Sequence, residues 1–166
     1  LGYARATLAR ELTLDEVREC AAVPGIEVEV FVHGALCTCY SGLCLLSSHL
    51  VGRSGNRGRC AYLCRDAFAA AGPGSDSGRF WLSMKDLSLA DAVEDLRRAG
   101  VASLKIEGRM KSPLYVAAVT RLYRGLVDRT LTPEAQAEVE ADIKTIFSRP
   151  WTDLFLHGET AGGVTD

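Results

Sequence analysis

The stretch 26–33, Ile-Glu-Val-Glu-Val-Phe-Val-His, alternates strictly, and the alternation stops at Gly34. A period of two is the signature of a β-strand. Ile26, Val28, Val30 and Val32 share one face; Glu27, Glu29, Phe31 and His33 share the other. An aliphatic face opposite one bearing carboxylates and an imidazole suits a barrel strand with helices packed outside, its inner face feeding a site at the strand's C-terminal end. Residues 34–78, which follow, have no periodicity and are rich in Gly, Ser, Cys and Arg. A segment of that length is too long for an idle connection, so it is expected to be functional.

The rest of the chain supplies elements for such a strand to join. Residues 4–8 read as a short strand. Thr13 and Glu16 form a capping box that opens a helix to about residue 22, ended by Pro24-Gly25. Residues 79–83 read as a strand, and Ser88 is expected to cap a helix over 89–99, with Asp91 at its third position and Gly100 beyond it. A buried strand over 101–106 follows. Pro113 then starts a helix to about 128, and Thr132-Pro133-Glu134 caps another to about 147. The order β-α-β-loop-β-α-β-α-α predicts a parallel sheet with helical crossovers. A complete (β/α)8 barrel takes about 250 residues, so the expected fold class is α/β, a partial (β/α)8 TIM-type barrel, its C-terminal half. Residues 1–130 would hold the half-barrel and the cysteine-rich loop 34–78; residues 131–166 would form a helical extension leading out. The chain starts at Leu1 and runs straight into a strand-like segment, which reads as a piece of a longer protein.

Composition narrows the chemistry. Apolar residues make up 48% of the 166 and charged ones 24%, ordinary for a globular chain and too apolar for a disordered one. The net charge of −2 excludes a general polyanion binder, so nucleic-acid contact would be local. No stretch approaches the ~20 apolar residues of a membrane span, and no leader-like start is present, so a cytoplasmic setting is expected. Six cysteines are the anomaly, five of them between positions 37 and 64. In a reducing compartment such density points to metal or redox chemistry rather than disulfides. The spacing Cys37-x6-Cys44-x15-Cys60-x3-Cys64 supplies four thiolates, which suit a [4Fe–4S] cluster or zinc. Zinc ribbons present two short knuckles and only Cys60/Cys64 is one, which leans toward iron–sulfur. Buried free thiols are the alternative, and the better reading for Cys20 on its helix.

Other candidates each carry two readings. Arg53, Arg57, Arg59 and Arg65 form a basic run that either clamps a phosphate or carboxylate or is a solvated loop. Lys105 and Glu107 share a strand face near a barrel mouth, as an internal salt bridge or as catalytic groups. Arg109 and Lys111 are candidate phosphate contacts for RNA. Glu29 and His33 point the same way, for acid–base work, metal ligation or interior packing. No H-E-x-x-H or G-x-S-x-G motif occurs, and His49 and His157 lack an evident nucleophile partner.

The segment from Glu29 through Phe31, Gly34-Ala35-Leu36-Cys37, Gly42, Cys44 and Leu46-Ser47 resembles the signature of peptidase family U32, E-x-F-x-x-G-A-L-C-x-x-x-x-G-x-C-x-L-S. Asn56-Arg57-Gly58-Arg59-Cys60, Ser83-Met84-Lys85-Asp86-Leu87 and the run 103–112, S-L-K-I-E-G-R-M-K-S, continue the resemblance. It covers most of residues 8–128. The resemblance implies an oxygen-independent hydroxylase of tRNA uridine, ribosomal RNA cytidine or the ubiquinone ring, with prephenate as the oxygen source for several members. It also implies a [4Fe–4S] cluster on cysteines matching Cys37, Cys44 and Cys60. For the fourth ligand some members use a cysteine after the K-D-L motif, where this chain has Ser88; others use a C-x3-C pair, which points to Cys64 and leaves Cys39 as an extra thiol. The family name records an early protease assignment, so a metal-dependent collagenase-like peptidase is the alternative reading. Members that work in pairs add a third, a non-catalytic partner subunit.

Overall fold

The computed structural model describes residues 2–69, 78–147, 149–153 and 155–158. Expectations that fall on 70–77 and 159–166 lie outside the described residues. Among the described residues five strands pair in one open mixed sheet, with helices packed on it.

The central strand is the alternating one, β2 (Glu27–Ala35). β1 (Arg5–Thr7) runs parallel to its start, pairing Arg5 with Glu27 and Thr7 with Glu29. Ahead of β2 comes α1 (Leu14–Ala21), which begins as its sequence dictates: Thr13 Oγ1 accepts from the Glu16 amide, and the Glu16 carboxylate accepts from the Thr13 amide. The loop beyond β2 carries the short helix α2 (Leu46–Val51), ended by Gly52 in the left-handed region. β3 (Asp86–Ser88) pairs antiparallel with the end of β2. After α3 (Val93–Arg98), β4 (Ser103–Ile106) runs parallel to β2 across residues 29–33. α4 (Pro113–Asp128) is capped by Ser112, whose hydroxyl accepts from the Tyr115 amide at 3.1 Å. α5 (Pro133–Ile146) is capped by Thr132, and β5 (Trp151–Thr152) pairs with β3.

One apolar core binds these pieces. Val30 and Val32 from β2, Leu96 from α3, Tyr115, Val119 and Leu122 from α4, and Val139 and Ile143 from α5 pack in the same cluster. α5 is therefore packed into the body of the fold. The Tyr123 hydroxyl joins helix to sheet by donating to Val32 O at 2.7 Å and accepting from the Leu89 amide at 3.2 Å.

Two expectations about β2 and β3 need correction. The register with β4 shifts between Phe31 and His33, a bulge-like irregularity that reverses which way the following residues point. Val28, Val30 and Val32 are buried and Glu29 and Phe31 half-buried, but His33 turns into the core, 1% exposed, among Tyr115, Tyr123 and Trp151. The structure does not bring Glu29 and His33 together. Second, Ser88 ends strand β3 rather than capping a helix; a 3₁₀ turn over Ala90–Ala92 leads into α3. Within 79–83, only an isolated bridge from Arg79 to Phe68 is paired as β-structure. The local sequence missed β3 because one of its two buried residues, beside Leu87, is a carboxylate, Asp86, matched by cations far away in the chain.

Gly34 marks where β2 and the chain after β4 come closest. Its φ is +106°, and a Cβ there would lie 2.3 Å from Glu107 O, so no larger residue fits unshifted.

Candidate active site at the cysteine loop

Where β1, β2 and β4 end, a pocket of about 450 Å³ opens beneath the cysteine loop. Cys37, Cys44, Cys60 and Cys64 all line it, with Arg10, Phe31, Tyr40, Tyr62, Glu107 and Arg109 among the other walls. Its volume lies in the range of small-molecule sites.

Local structure brings the later cysteines in. α2 buries Ser47, whose hydroxyl accepts from the Ala61 amide at 3.0 Å beside Cys60. Tyr62, at φ +60°, turns the chain sharply, and its amide donates to Cys60 Sγ at 3.3 Å. A short 3₁₀ turn, Leu63–Arg65, then places Cys64. Cys37 is exposed at the mouth, and the others are half-buried. Cys20 stands on α1 and is not part of this pocket.

The thiols sense one another. Burial, a hydrogen bond with Cys44 and the neighbouring Cys44, Cys37 and Cys64 push the Cys39 thiol up to about 11. Burial raises Cys64 as well, opposed by the Arg65 guanidinium and assisted by Cys37, Cys60 and Cys44. Among the described residues no three His, Cys, Asp or Glu side chains gather tightly enough to grip one metal ion. The four cysteines that line the pocket are soft sulfur donors, a set that iron–sulfur clusters and zinc both use.

The opposite wall is built from charge. The Arg10 guanidinium stacks 3.8 Å from the Phe31 ring centroid and lies 3.7 Å from Glu107. Glu107 Oε1 accepts from the Arg109 amide at 2.7 Å and from the Tyr62 hydroxyl at 3.4 Å. Burial, with the Glu107 charge adding to it, pushes that hydroxyl up to about 12. Lys105 pairs across strands with Glu29 at 2.9 Å, not with Glu107. Thr7 and Ser103 also donate to Glu29, and this set, led by Lys105, holds its carboxyl down at about 2.

The remaining sequence candidates lie elsewhere. Lys111 is 7% exposed, bonded to Asp86 at 3.2 Å and seated 3.0 Å from the Phe147 ring centroid. It serves the interior of the fold and is not presented to a phosphate on the surface. Arg53, Arg57 and Arg59 are exposed on the loop, with no side-chain partner among the described residues. Arg65 is not part of that solvated run: it is 10% exposed and lies 3.8 Å from Asp86. Sequence reasoning also missed Arg10, Tyr40 and Tyr62 as pocket walls. Tyr62 could have been found from its place between Cys60 and Cys64; Arg10 is brought in only by the fold.

Fold and pocket together define an α/β protein with a thiol-lined cleft at the ends of its parallel strands. The chain belongs to peptidase family U32, whose profile matches residues 1–166. It is 43% identical over 136 residues to the tRNA hydroxylation protein P1 of Bacillus subtilis, covering 76% of this chain and 32% of that protein. It is 41% identical over 134 residues to the 23S rRNA 5-hydroxycytidine C2501 synthase of Escherichia coli, 77% of this chain and 20% of the relative. A protein named collagenase from Porphyromonas gingivalis is 34% identical over 180 residues, 95% of this chain and 43% of the relative. The chain thus spans less than half the length of these curated relatives. No solved structure matches it with significance. No helix among the described residues is long and apolar enough to cross a membrane.

Proposed function

We propose that this chain is the cysteine-loop half of an iron–sulfur enzyme that hydroxylates an RNA base without O₂, within a larger protein whose other strands complete the (β/α)8 barrel. The observation that carries the reading is the convergence of Cys37, Cys44, Cys60 and Cys64 on one pocket at the strand ends. These four residues would hold a [4Fe–4S] cluster, which supplies electron-transfer chemistry when bound. The names of the Bacillus subtilis and Escherichia coli relatives support RNA as the substrate class.

The chain's own residues divide the remaining work. Glu107, fixed by the Arg109 amide and the Tyr62 hydroxyl, is oriented to accept or return a proton at a bound substrate. The guanidinium groups of Arg10 and Arg109 offer bidentate donors to a carboxylate such as prephenate or to a phosphate. Tyr40, 73% exposed at the pocket, presents a ring on which an unpaired base can stack. Arg53, Arg57 and Arg59 give a local positive strip for the RNA backbone despite the net negative chain. The collagenase reading rests on a relative's name. Among the described residues no cysteine–histidine hydrogen bond offers it a nucleophile and base; His33 bonds Tyr123, and His157 pairs with Asp153.

Nucleoside mass spectrometry of tRNA and ribosomal RNA tests the proposal. Deleting the gene should abolish one hydroxylated pyrimidine, and the wild-type gene should restore it where Cys44→Ser does not. An unchanged nucleoside profile on deletion would remove RNA hydroxylation from consideration.

A further inference from the structure

The cysteine loop leaves the sheet at Leu36 and returns through Cys64, and one side chain grips both ends. Arg65 directly follows Cys64, and its Nη2 donates to the carbonyl oxygen of Leu36, the residue before Cys37, at 2.7 Å. Its Nη1 donates to Ser83 Oγ at 3.1 Å and to the carbonyl oxygen of Met84. Leu36 is 4% exposed and the Arg65 side chain 10%, so these bonds are made largely out of water. Behind them stands Asp86, fully buried, 3.8 Å from Arg65, 3.2 Å from Lys111 and 2.8 Å from Arg149. A planar fork of fixed N–H donors can serve two carbonyls and a hydroxyl together, which a lysine ammonium on a flexible stem cannot do in the same geometry.

We propose that Arg65 is a positioning residue for the thiol set: it clamps the residues flanking the first and last cysteines of the pocket, so that Cys37 and Cys64 face one another before any ligand arrives. The inference rests on the iron–sulfur reading and adds to it a residue that touches no metal. Groups behind metal ligands commonly govern retention by holding those ligands in place.

The test uses the full-length protein with Arg65→Lys and Arg65→Gln, each reconstituted anaerobically with ferrous iron and sulfide. Both variants should keep the wild-type circular dichroism yet lose iron to a chelator about 10–100-fold faster, with an altered electron paramagnetic resonance line shape after reduction. Lysine should restore retention only in part. Folded variants that hold iron as the wild type does, with the same spectrum, would overturn the proposal, and if Arg65→Gln fails to fold then Arg65→Lys decides. A second measurement needs no iron. In protein whose other cysteines are serine, a short bis-maleimide should bridge Cys37 and Cys64 more slowly once Arg65 is changed, and equal rates would overturn the clamp. Should the wild type take up no iron, the parent reading falls while the bridging rates still decide the role of Arg65.

Discussion

His33 lies just past the register shift in β2, where its ring packs at 5.2 Å from Trp151 and its Nδ1 is 3.3 Å from the Tyr123 hydroxyl. Burial lowers its imidazole from 6.5 to about 4, with nearby Asp86 opposing and Lys111 assisting. The unfolded chain therefore binds a proton between those values that the folded chain refuses. The contribution from keeping His33 neutral should be full above pH 6.5 and be lost as the pH drops toward about 4. Denaturant unfolding at pH 7 and pH 5 should show this loss in the wild type, and His33→Phe should flatten it. A wild-type curve without slope in that window would refute the burial argument. Gly34, the next residue, tests steric fit. Gly34→Ala should cost about 1–3 kcal/mol from its backbone conformation alone, with the contact at Glu107 O adding to that; thermal unfolding reads the sum.

At the scale of elements, α1, β2, α4 and α5 were legible because each is written in its own local sequence: a capping box, an alternation, and a Ser or Thr cap followed by proline. β3 was not legible, since the burial of Asp86 depends on Arg65, Lys111 and Arg149, which only the folded chain brings to it. The fate of His33 was hidden for a related reason: a one-residue shift in pairing exchanges sheet faces and leaves no mark in composition. The thiol motif itself could be read along the chain, whereas the Arg10–Glu107 wall opposite it joins residues nearly a hundred positions apart. The joint between α4 and the sheet gives an element-scale prediction. Tyr123→Phe removes the hydroxyl's bonds to Val32 O and the Leu89 amide, which still bond each other at 2.9 Å. It should cost about 0.5–1.5 kcal/mol, measured by urea unfolding; a cost near zero would show that the hydroxyl does not fasten helix to sheet.

For the whole molecule, the described strands form an open sheet whose half-buried face carries Glu29, Phe31 and Lys105 beside the thiol pocket. A polar, ion-paired face of this kind is what a barrel interior would enclose, and the relatives are more than twice as long as the part matched here. We propose one task for the pocket, to hold iron and sulfide next to a substrate base. Iron and acid-labile sulfide analysis of the full-length protein, purified without oxygen, tests that claim most directly. The wild type should be brown, absorb at about 400 nm and hold about four of each element per chain, with a sharp fall in both for Cys37→Ser, Cys44→Ser, Cys60→Ser and Cys64→Ser. A colourless wild-type protein free of iron and sulfide would contradict it.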